Sequence, residues 1–256
     1  MTAVAQVAAD GMTRASVAVT VAGAALLAVA GLAGLPYVVL AVALGGFVIA
    51  FGLAPIMGAT NRHRSSLVLA LATFLGAAAV LTVESEPALR LLPVAVAVSV
   101  IVMFLVQLTR ADNRPRLSAC LACDALGIGV ITSGMTFAPL AHAGSGRYPV
   151  TLAMAAIGLS CLLDPLLKRP RAQGLLFPAA AVAGAMGALA ANAWAAAPVT
   201  AATAVLIGAV SGGIAHAMRR TLAEQAVVEG RGTLTVAAAG LLTPGLAVFT
   251  IAHLLG

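Results

Sequence analysis

Nine long stretches of almost uninterrupted apolar residues constrain the fold of this chain more than any other feature. They cover residues 16–34, 37–55, 66–83, 90–109, 118–139, 149–167, 174–191, 198–217 and 233–254. A helix needs about 20 mainly apolar residues to cross a bilayer. In lipid only helices and closed barrels satisfy their backbone groups, and these unalternating stretches indicate helices. The sequence therefore predicts an all-α, polytopic transmembrane bundle of nine spans.

The basic residues are distributed unequally between the loops that join these stretches. Of 14 Lys and Arg residues, only Arg90 and Arg147 fall on one side. The other twelve fall on the opposite side: Arg14, Arg62, Arg64, Arg110, Arg114, Arg116, Lys168, Arg169, Arg171, Arg219, Arg220 and Arg231. Because loops rich in Lys and Arg stay in the cytoplasm, the N-terminus is predicted to be cytoplasmic and the C-terminus external. The predominance of Arg, Ala and Val indicates a GC-rich bacterial genome, and hence the bacterial cytoplasmic membrane.

The composition excludes an ordinary soluble domain. Hydrophobic residues make up 62% of the chain and charged residues 9%, and the mean hydropathy is +1.09. Basic residues are spread over short loops without interleaved aromatics, which argues against nucleic acid as a partner. Residues 1–256 are predicted to form a single integral membrane domain. The first stretch is long enough to span instead of being a cleaved signal, and eight spans are the alternative if it is peripheral.

Local features agree with the predicted topology. Pro244 lies within the ninth stretch and predicts a kink there. Tyr37, Tyr148 and Trp194 all fall at the predicted outer boundary, where amphipathic rings are favoured. Glycines in the seventh and eighth stretches predict closely crossing helices, since small residues allow membrane helices to approach.

Two carboxylates fall inside the apolar stretches, where charge is costly and therefore indicates a functional site. Asp124 lies about one and a half turns into the fifth stretch. Two explanations are open for it: a bond to an Arg or Ser of an adjacent helix, or a place in a cavity. Asp164 lies near the cytoplasmic end of the sixth stretch, and an i,i+4 ion pair with Lys168 would explain it.

Further polar residues lie at the same predicted membrane face. The candidate residues for binding a lipid headgroup or another anion are Asp124, Asp164, His216, Arg219, Arg220, Lys168 and Arg169. Together with His63 they could surround one cytoplasm-facing cavity that is basic at its mouth and acidic deeper in. Such a cavity suits an anionic headgroup or a nucleotide, with a divalent cation bridging phosphate to Asp. The alternative is that loops flanking a bilayer carry Arg in any case.

The cysteines do not indicate a metal or redox site. Cys120 and Cys123 form a CxxC sequence beside Asp124, and Cys161 lies in the sixth stretch. No His accompanies them at ligand spacing, and Cys is a common small apolar residue in membrane spans. We expect no metal site, no cofactor and no disulfide.

The layout of the chain resembles the phosphatidate cytidylyltransferase (CDP-diacylglycerol synthase) family. Arg14 precedes a first helical hairpin, many short spans follow, and an intramembrane Asp precedes a basic stretch. A glycine-rich span then ends in the basic pair Arg219-Arg220, before a short segment and one last helix. The resemblance implies a membrane enzyme that makes CDP-diacylglycerol from phosphatidic acid and CTP.

The family's catalytic motif is missing, however. The family's stretch begins with Gly-Asp and carries Glu-Ser before a Lys-Arg pair, whereas this chain has Ser211-Gly212 at the start and Ala217-Met218 before the pair. The family's later Lys-Asp is replaced by Gln225-Ala226, and Arg231-Gly232-Thr233 stands where its last metal and nucleotide ligands are expected. The resemblance therefore implies a degenerate relative without magnesium-dependent nucleotidyl transfer.

The sequence leads to three functional hypotheses. The first is a non-catalytic membrane subunit that binds a partner protein or anionic lipid from the cytoplasmic side. The second is a small-solute or lipid transporter that uses Asp124 as a proton or cation site. The third is a lipid nucleotidyltransferase of the CDP-diacylglycerol synthase type. The expected partners are membrane lipids, including anionic ones, and other membrane protein subunits.

Overall fold

The computed structural model describes residues 14–59, 61–82, 89–109, 116–141, 147–163, 175–195, 197–225 and 231–255, and each of the nine apolar stretches forms helix within these ranges. The predicted all-α class is confirmed for this part of the chain. The helices are α1 (Arg14–Ala33), α2 (Leu35–Ile56), α3 (Arg62–Leu81), α4 (Leu92–Leu108), α5 (Leu117–Met135), α6 (Phe137–Leu140), α7 (Arg147–Leu163), α8 (Leu176–Ala195), α9 (Ala201–Gln225), α10 (Arg231–Leu242) and α11 (Gly245–Leu255).

Seven helical segments of the described residues are long and apolar enough to cross a membrane. Two of the seven join neighbouring helices, α5 with α6 and α10 with α11. The helices α4 and α7 have 17 residues each. At 1.5 Å per residue they are about 25 Å long, somewhat shorter than a hydrocarbon core of about 30 Å. The chain is thus a multi-pass membrane protein, whereas nine spans and a cytoplasmic N-terminus stay predictions.

The helices pack as two groups joined by the last pair. One group contains α2, α3, α4 and α5, and the other contains α1, α7, α8 and α9. Helix α10 packs against members of both groups, namely α1, α2, α5 and α9, and α11 packs against α5, α7 and α9. The last two helices, together with the direct contact of α1 with α2, therefore hold the two groups together.

Most of the arginines that the structure describes lie at one end of the bundle, which we call the basic end. Here α1, α3, α5, α8 and α10 begin, and α2, α4, α7 and α9 end. One contact places two of these ends side by side, and a second places the first turns of α10 against the middle of α2. Arg64, in the first turn of α3, donates to the carbonyl of Val106 near the end of α4 at 3.2 Å. The hydroxyl of Thr235, in the first turns of α10, donates to the Val48 carbonyl of α2 at 3.4 Å.

The kink predicted at Pro244 is confirmed as a break between α10 and α11. The side chain of Ser133 in α5 satisfies the backbone groups that the break exposes. Its Oγ donates to the Thr243 carbonyl at 2.6 Å and accepts the Leu246 N–H at 3.0 Å. Gly245 lies directly against the Ser133 backbone, where a Cβ would collide with the carbonyl. Breaks of this kind are tolerated in membranes when a neighbouring helix supplies such partners.

A second break was not predicted. Helix α5 ends at Met135 and the short α6 begins at Phe137, so the fifth stretch is interrupted two residues after Ser133. Because Ser133 also bridges the α10–α11 break, the two discontinuous segments cross each other. The Phe137 side chain at this crossing is fully buried. The crossing is therefore closely packed.

The closest helix crossing joins α8 and α9, as the glycine pattern predicts. Gly184 in α8 faces Gly208 and Gly212 in α9, and each glycine approaches the backbone of the opposite helix. Close backbone contact of this kind supplies the dispersion energy that holds membrane helices together.

Large apolar side chains cover the outside of the bundle. Phe51, Phe74 and Leu67 each have 65% or more of their surface exposed, as expected for a surface that faces lipid.

Candidate functional site

The carboxylate of Asp124 lies in the interior of the bundle between α3, α4 and α5. Asp124 lies seven residues after the first residue of α5, or about 10 Å from the basic end. The residue is fully buried. The amide of Gln107, in the last turn of α4, donates to Asp124 Oδ2 at 2.8 Å. The sequence left two explanations open for Asp124. Neither of them named Gln107, whereas the first named a Ser of an adjacent helix, and Ser65 of α3 is such a residue.

The hydroxyl of Ser65 in α3 completes this cluster of three buried polar side chains, Ser65, Gln107 and Asp124, which we call the Asp124 cluster. Ser65 is fully buried and its hydroxyl interacts with the Asp124 carboxylate. Neither Ser65 Oγ nor Asp124 Oδ1 forms a hydrogen bond of good geometry with the described residues. Ser65 Oγ and Asp124 Oδ1 therefore both have unused hydrogen-bonding capacity.

Proton binding would use that capacity. A protonated carboxyl has one O–H donor, whereas an ionised carboxylate only accepts. A proton on Asp124 Oδ1 would give this oxygen a hydrogen that Ser65 Oγ can accept, while Gln107 continues to donate to Oδ2. An ionised carboxylate is costly inside a membrane protein unless a cation pairs with it. The Ser65 hydroxyl can also donate to an ionised carboxylate, as the Gln107 amide does. The cluster therefore offers partners to both forms of Asp124 and is suited to bind and release a proton.

Arginine side chains lie at the basic end of the bundle, next to the Asp124 cluster. Arg64 immediately precedes Ser65, and its hydrogen bond to Val106 fixes it beside Gln107. Arg116 is exposed, and it precedes α5 in a left-handed conformation with φ 53°. Arg116 Nη1 lies close to Gly58, just past the end of α2. Positive charge at the surface thus precedes a buried carboxylate.

The cysteines near Asp124 are packing residues. Cys120, Cys123 and Cys161 are all buried, and none of the three is in a disulfide bond. The described residues contain no group of three or more His, Cys, Asp or Glu side chains that could hold a metal ion. Cys120 and Cys123 belong to the apolar core around α5.

The other candidate residues of the described chain lie on α9, in the second helix group. His216 and Arg219 are both buried. The stem of Arg219 packs against Gly240 of α10, and a Cβ at Gly240 would lie 2.7 Å from Arg219 Cγ. Because α9 packs mainly against α1's group and α10, these two residues and Asp124 belong to different parts of the bundle.

Arg220 and the sixth-stretch residues complete the predicted set. Arg220 is exposed, and its Nε donates to Glu224 Oε1 at 3.0 Å in an i,i+4 ion pair. Asp164, Lys168 and Arg169 lie outside the described residues. Of the predicted set, Asp124 is thus in one polar cluster, His216 and Arg219 are in the interior of the other helix group, and Arg220 is at the surface.

Two residues of the Asp124 cluster were not identified from the sequence. Gln107 is the one amide in the fourth apolar stretch, and it precedes the loop by two residues. Ser65 lies beside Arg64, just before the third stretch. An amide within an apolar stretch is a usable signal, since buried polar groups require partners.

The chain shows no similarity to a family model, to a curated protein or to a solved structure.

Proposed function

We propose that this protein is a small proton-coupled transporter in which Asp124 binds and releases the coupling proton. The observation that carries the proposal is the geometry of Asp124. The carboxylate is fully buried, it is held by the Gln107 amide, and Oδ1 has no hydrogen bond to the described residues. Ionisable residues inside membrane proteins commonly belong to proton relays and ion pathways.

We infer the orientation from the basic end. Loops and helix ends rich in arginine remain in the cytoplasm, so the basic end faces the cytoplasm of a bacterium and the chain lies in its inner membrane. Asp124 would then exchange its proton with the cytoplasm past Arg64 and Arg116. The arginines raise the local concentration of anions, and they favour the ionised carboxylate whenever water reaches it.

The discontinuous segments give the proposed transporter places where it can change shape. Broken helices that meet inside the bundle are a recurring feature of secondary transporters. Here the breaks at Thr136 and Pro244 meet at Ser133. Bending at these points would move α6 and α11 relative to the Asp124 cluster. Such a motion would couple proton binding at one end to opening at the other.

Transport currents in reconstituted vesicles test this proposal. The purified chain is placed in liposomes on a solid-supported membrane, and currents are recorded after jumps in pH and in the concentration of solutes. The solute panel contains amino acids, sugars, organic acids, nucleosides and monovalent cations. We expect a pH-driven current that at least one solute class enhances. The Asp124→Asn variant should abolish it, because the amide cannot exchange a proton.

A matched variant controls for the loss of one carboxylate. Glu224→Gln makes the same change at an exposed site near the basic end, and we expect its currents to equal those of the native chain. The proposal is rejected if Asp124→Asn vesicles carry the same currents as native vesicles. It is also rejected if native vesicles carry no current above protein-free liposomes for any solute in the panel.

A second candidate is a non-catalytic subunit that binds a partner protein at the basic end. The favouring observation is the length of α9. With 25 residues it is about 37 Å long, so its last turns would extend past the hydrocarbon core, where Arg220 and Glu224 are exposed. Affinity purification in mild detergent, with Arg220→Glu as the surface variant, tests this candidate. A specific partner lost from the variant supports it, and an isolated monomer argues against it.

A further inference from the structure

A groove on the side of the bundle is lined by α1, α2 and α10 and is distinct from the Asp124 cluster. Its volume is about 320 Å³, at the lower end of the range for ligand pockets. All of its lining residues are apolar or glycine. Leu26 of α1 and Leu44 of α2 lie at its edges and are more than half exposed. The groove therefore opens sideways, to the surface that faces lipid.

Small residues allow two leucines of α10 to pack between α1 and α2 beneath this groove. Gly23 of α1 and Gly45 of α2 lie on opposite walls, and Leu241 and Leu242 of α10 fill the space where their side chains would be. A Cβ at Gly45 would lie 3.3 Å from Leu242 Cδ1. The leucines form the floor, and the space above them has no protein atoms. In a bilayer, an apolar space of this kind is filled by hydrocarbon.

The depth and charge of the groove select one class of occupant. Along α1 the groove extends from Val19 to Leu27, or about 12 Å. Helix α1 begins five residues before Val19, at Arg14, and α10 begins three residues before the lining residue Leu234, at Arg231. The positive ends of two helix dipoles thus lie at the basic end of the groove, and the first residue of each helix is an arginine. A phosphate is the lipid group that fits this position.

We propose that the groove binds one acyl chain of an anionic phospholipid from the leaflet at the basic end, with the lipid phosphate at the level of Arg14 and Arg231. The acyl chain follows the groove between α1 and α2 and contacts Leu241 of α10. This lipid site is independent of the proton exchange proposed for Asp124. It would also hold α10, which joins the two helix groups, against α1 and α2.

Native mass spectrometry tests the site with defined probes. The chain is purified in mild detergent and titrated with phosphatidylglycerol or phosphatidylcholine of identical acyl chains. We expect one phosphatidylglycerol to bind more tightly than phosphatidylcholine. Ala22→Phe fills the groove from its open side, and it should weaken lipid binding about tenfold or more, because a few buried methylenes account for that factor.

Matched variants test separately the binding of the acyl chain in the groove and the preference for an anionic headgroup. Ala25→Phe places the same ring on an exposed position of α1 that does not line the groove, and it should leave binding unchanged. Arg231→Gln should reduce the preference for phosphatidylglycerol, whereas Arg62→Gln, at the start of α3, should not. Equal affinity of Ala22→Phe and Ala25→Phe overturns the groove. Equal affinity for both lipids in the native chain overturns the anionic selectivity.

Cross-linking of the native chain keeps the proposal testable if a variant does not fold. The probe is a phosphatidylglycerol with a diazirine in one acyl chain, and the products are mapped by peptide mass spectrometry. We expect adducts concentrated in residues 19–27, 41–48 and 234–242. Adducts spread evenly over the exposed helix faces would overturn the proposal.

Discussion

The contact between α8 and α9 gives the sharpest prediction about stability. Gly212→Ala adds one methyl group where the backbone of α8 is already in contact. The new Cβ would lie 2.6 Å from the Ala180 carbonyl oxygen and 3.0 Å from Gly184 Cα. Ordinary van der Waals contact begins at 3.4 Å. Because both obstructing atoms belong to the backbone, no change of rotamer relieves the clash, and the two helices must separate by several tenths of an ångström.

The size of the effect follows from two opposing contributions. Overpacking of a well-packed site costs about 1–3 kcal/mol, and replacing a helical glycine by alanine returns about 0.5–1 kcal/mol. We expect the free energy of unfolding of Gly212→Ala to be about 1–2 kcal/mol lower than that of the native chain. For a chain of this size the Tm should fall by roughly 2–8 °C. The change in Tm is measured by thermal unfolding in one fixed detergent, followed by size-exclusion chromatography.

A second glycine provides the control. Gly158 lies within α7, and a Cβ there would have no atom within 4 Å. Gly158→Ala should therefore leave the Tm unchanged or raise it slightly, through helix propensity alone. If Gly212→Ala is as stable as Gly158→Ala, close backbone contact does not hold α8 and α9 together, and the packing described for this pair is wrong.

Three further predictions concern the helix break, the surface ion pair and the resemblance to cytidylyltransferases. Ser133→Ala leaves the Thr243 carbonyl and the Leu246 N–H without their partner. It should therefore lower the free energy of unfolding by about 1–3 kcal/mol. The control, Ser118→Ala at an exposed site on the same helix, should leave the free energy of unfolding unchanged. Arg220→Ala removes an exposed ion pair, and the free energy of unfolding measured by thermal unfolding should change by less than about 0.5 kcal/mol. Incubation with CTP, magnesium and phosphatidic acid should yield no CDP-diacylglycerol by thin-layer chromatography; product formation would contradict the loss of the catalytic motif.

The helices could be predicted from the sequence because the bilayer imposes one dominant requirement. Every apolar stretch of about 20 residues contains a helix in the described chain, and the break at Pro244 follows from the missing N–H of proline. The break after Met135 was missed. Pro139 explains this break, because it has no N–H for the Met135 carbonyl four residues earlier and its ring crowds that carbonyl.

The Asp124 cluster could be predicted only in part. The position of Asp124 within an apolar stretch identified it as unusual. Its partners depend on how α3, α4 and α5 are rotated about their axes, and apolar stretches that are hydrophobic all round do not define that rotation. Gln107 and Ser65 are 17 and 59 residues away along the chain. Only the packed helices bring them together.

Arg219 illustrates the same limit for the basic residues. Its place after an apolar stretch predicted a surface arginine near Arg220. In the structure Arg220 is exposed and Arg219 is buried, because Gly240 of α10 leaves room for the Arg219 stem. Adjacent residues of a helix point about 100° apart, so one can face the interior while the next faces solvent. Because Gly240 of α10 has no side chain, Arg219 is the one of the two arginines that is buried.

Infrared titration of the carboxyl groups tests the central claim most directly. Protonated and ionised carboxyls absorb at separate frequencies, and Asp124→Asn removes only the contribution of Asp124. In vesicles of the native chain we predict a protonated-carboxyl band that is lost reversibly as the pH rises. This band should be missing from Asp124→Asn and retained in Glu224→Gln. A native spectrum whose difference from Asp124→Asn does not change with pH would contradict the account, because Asp124 would then exchange no proton.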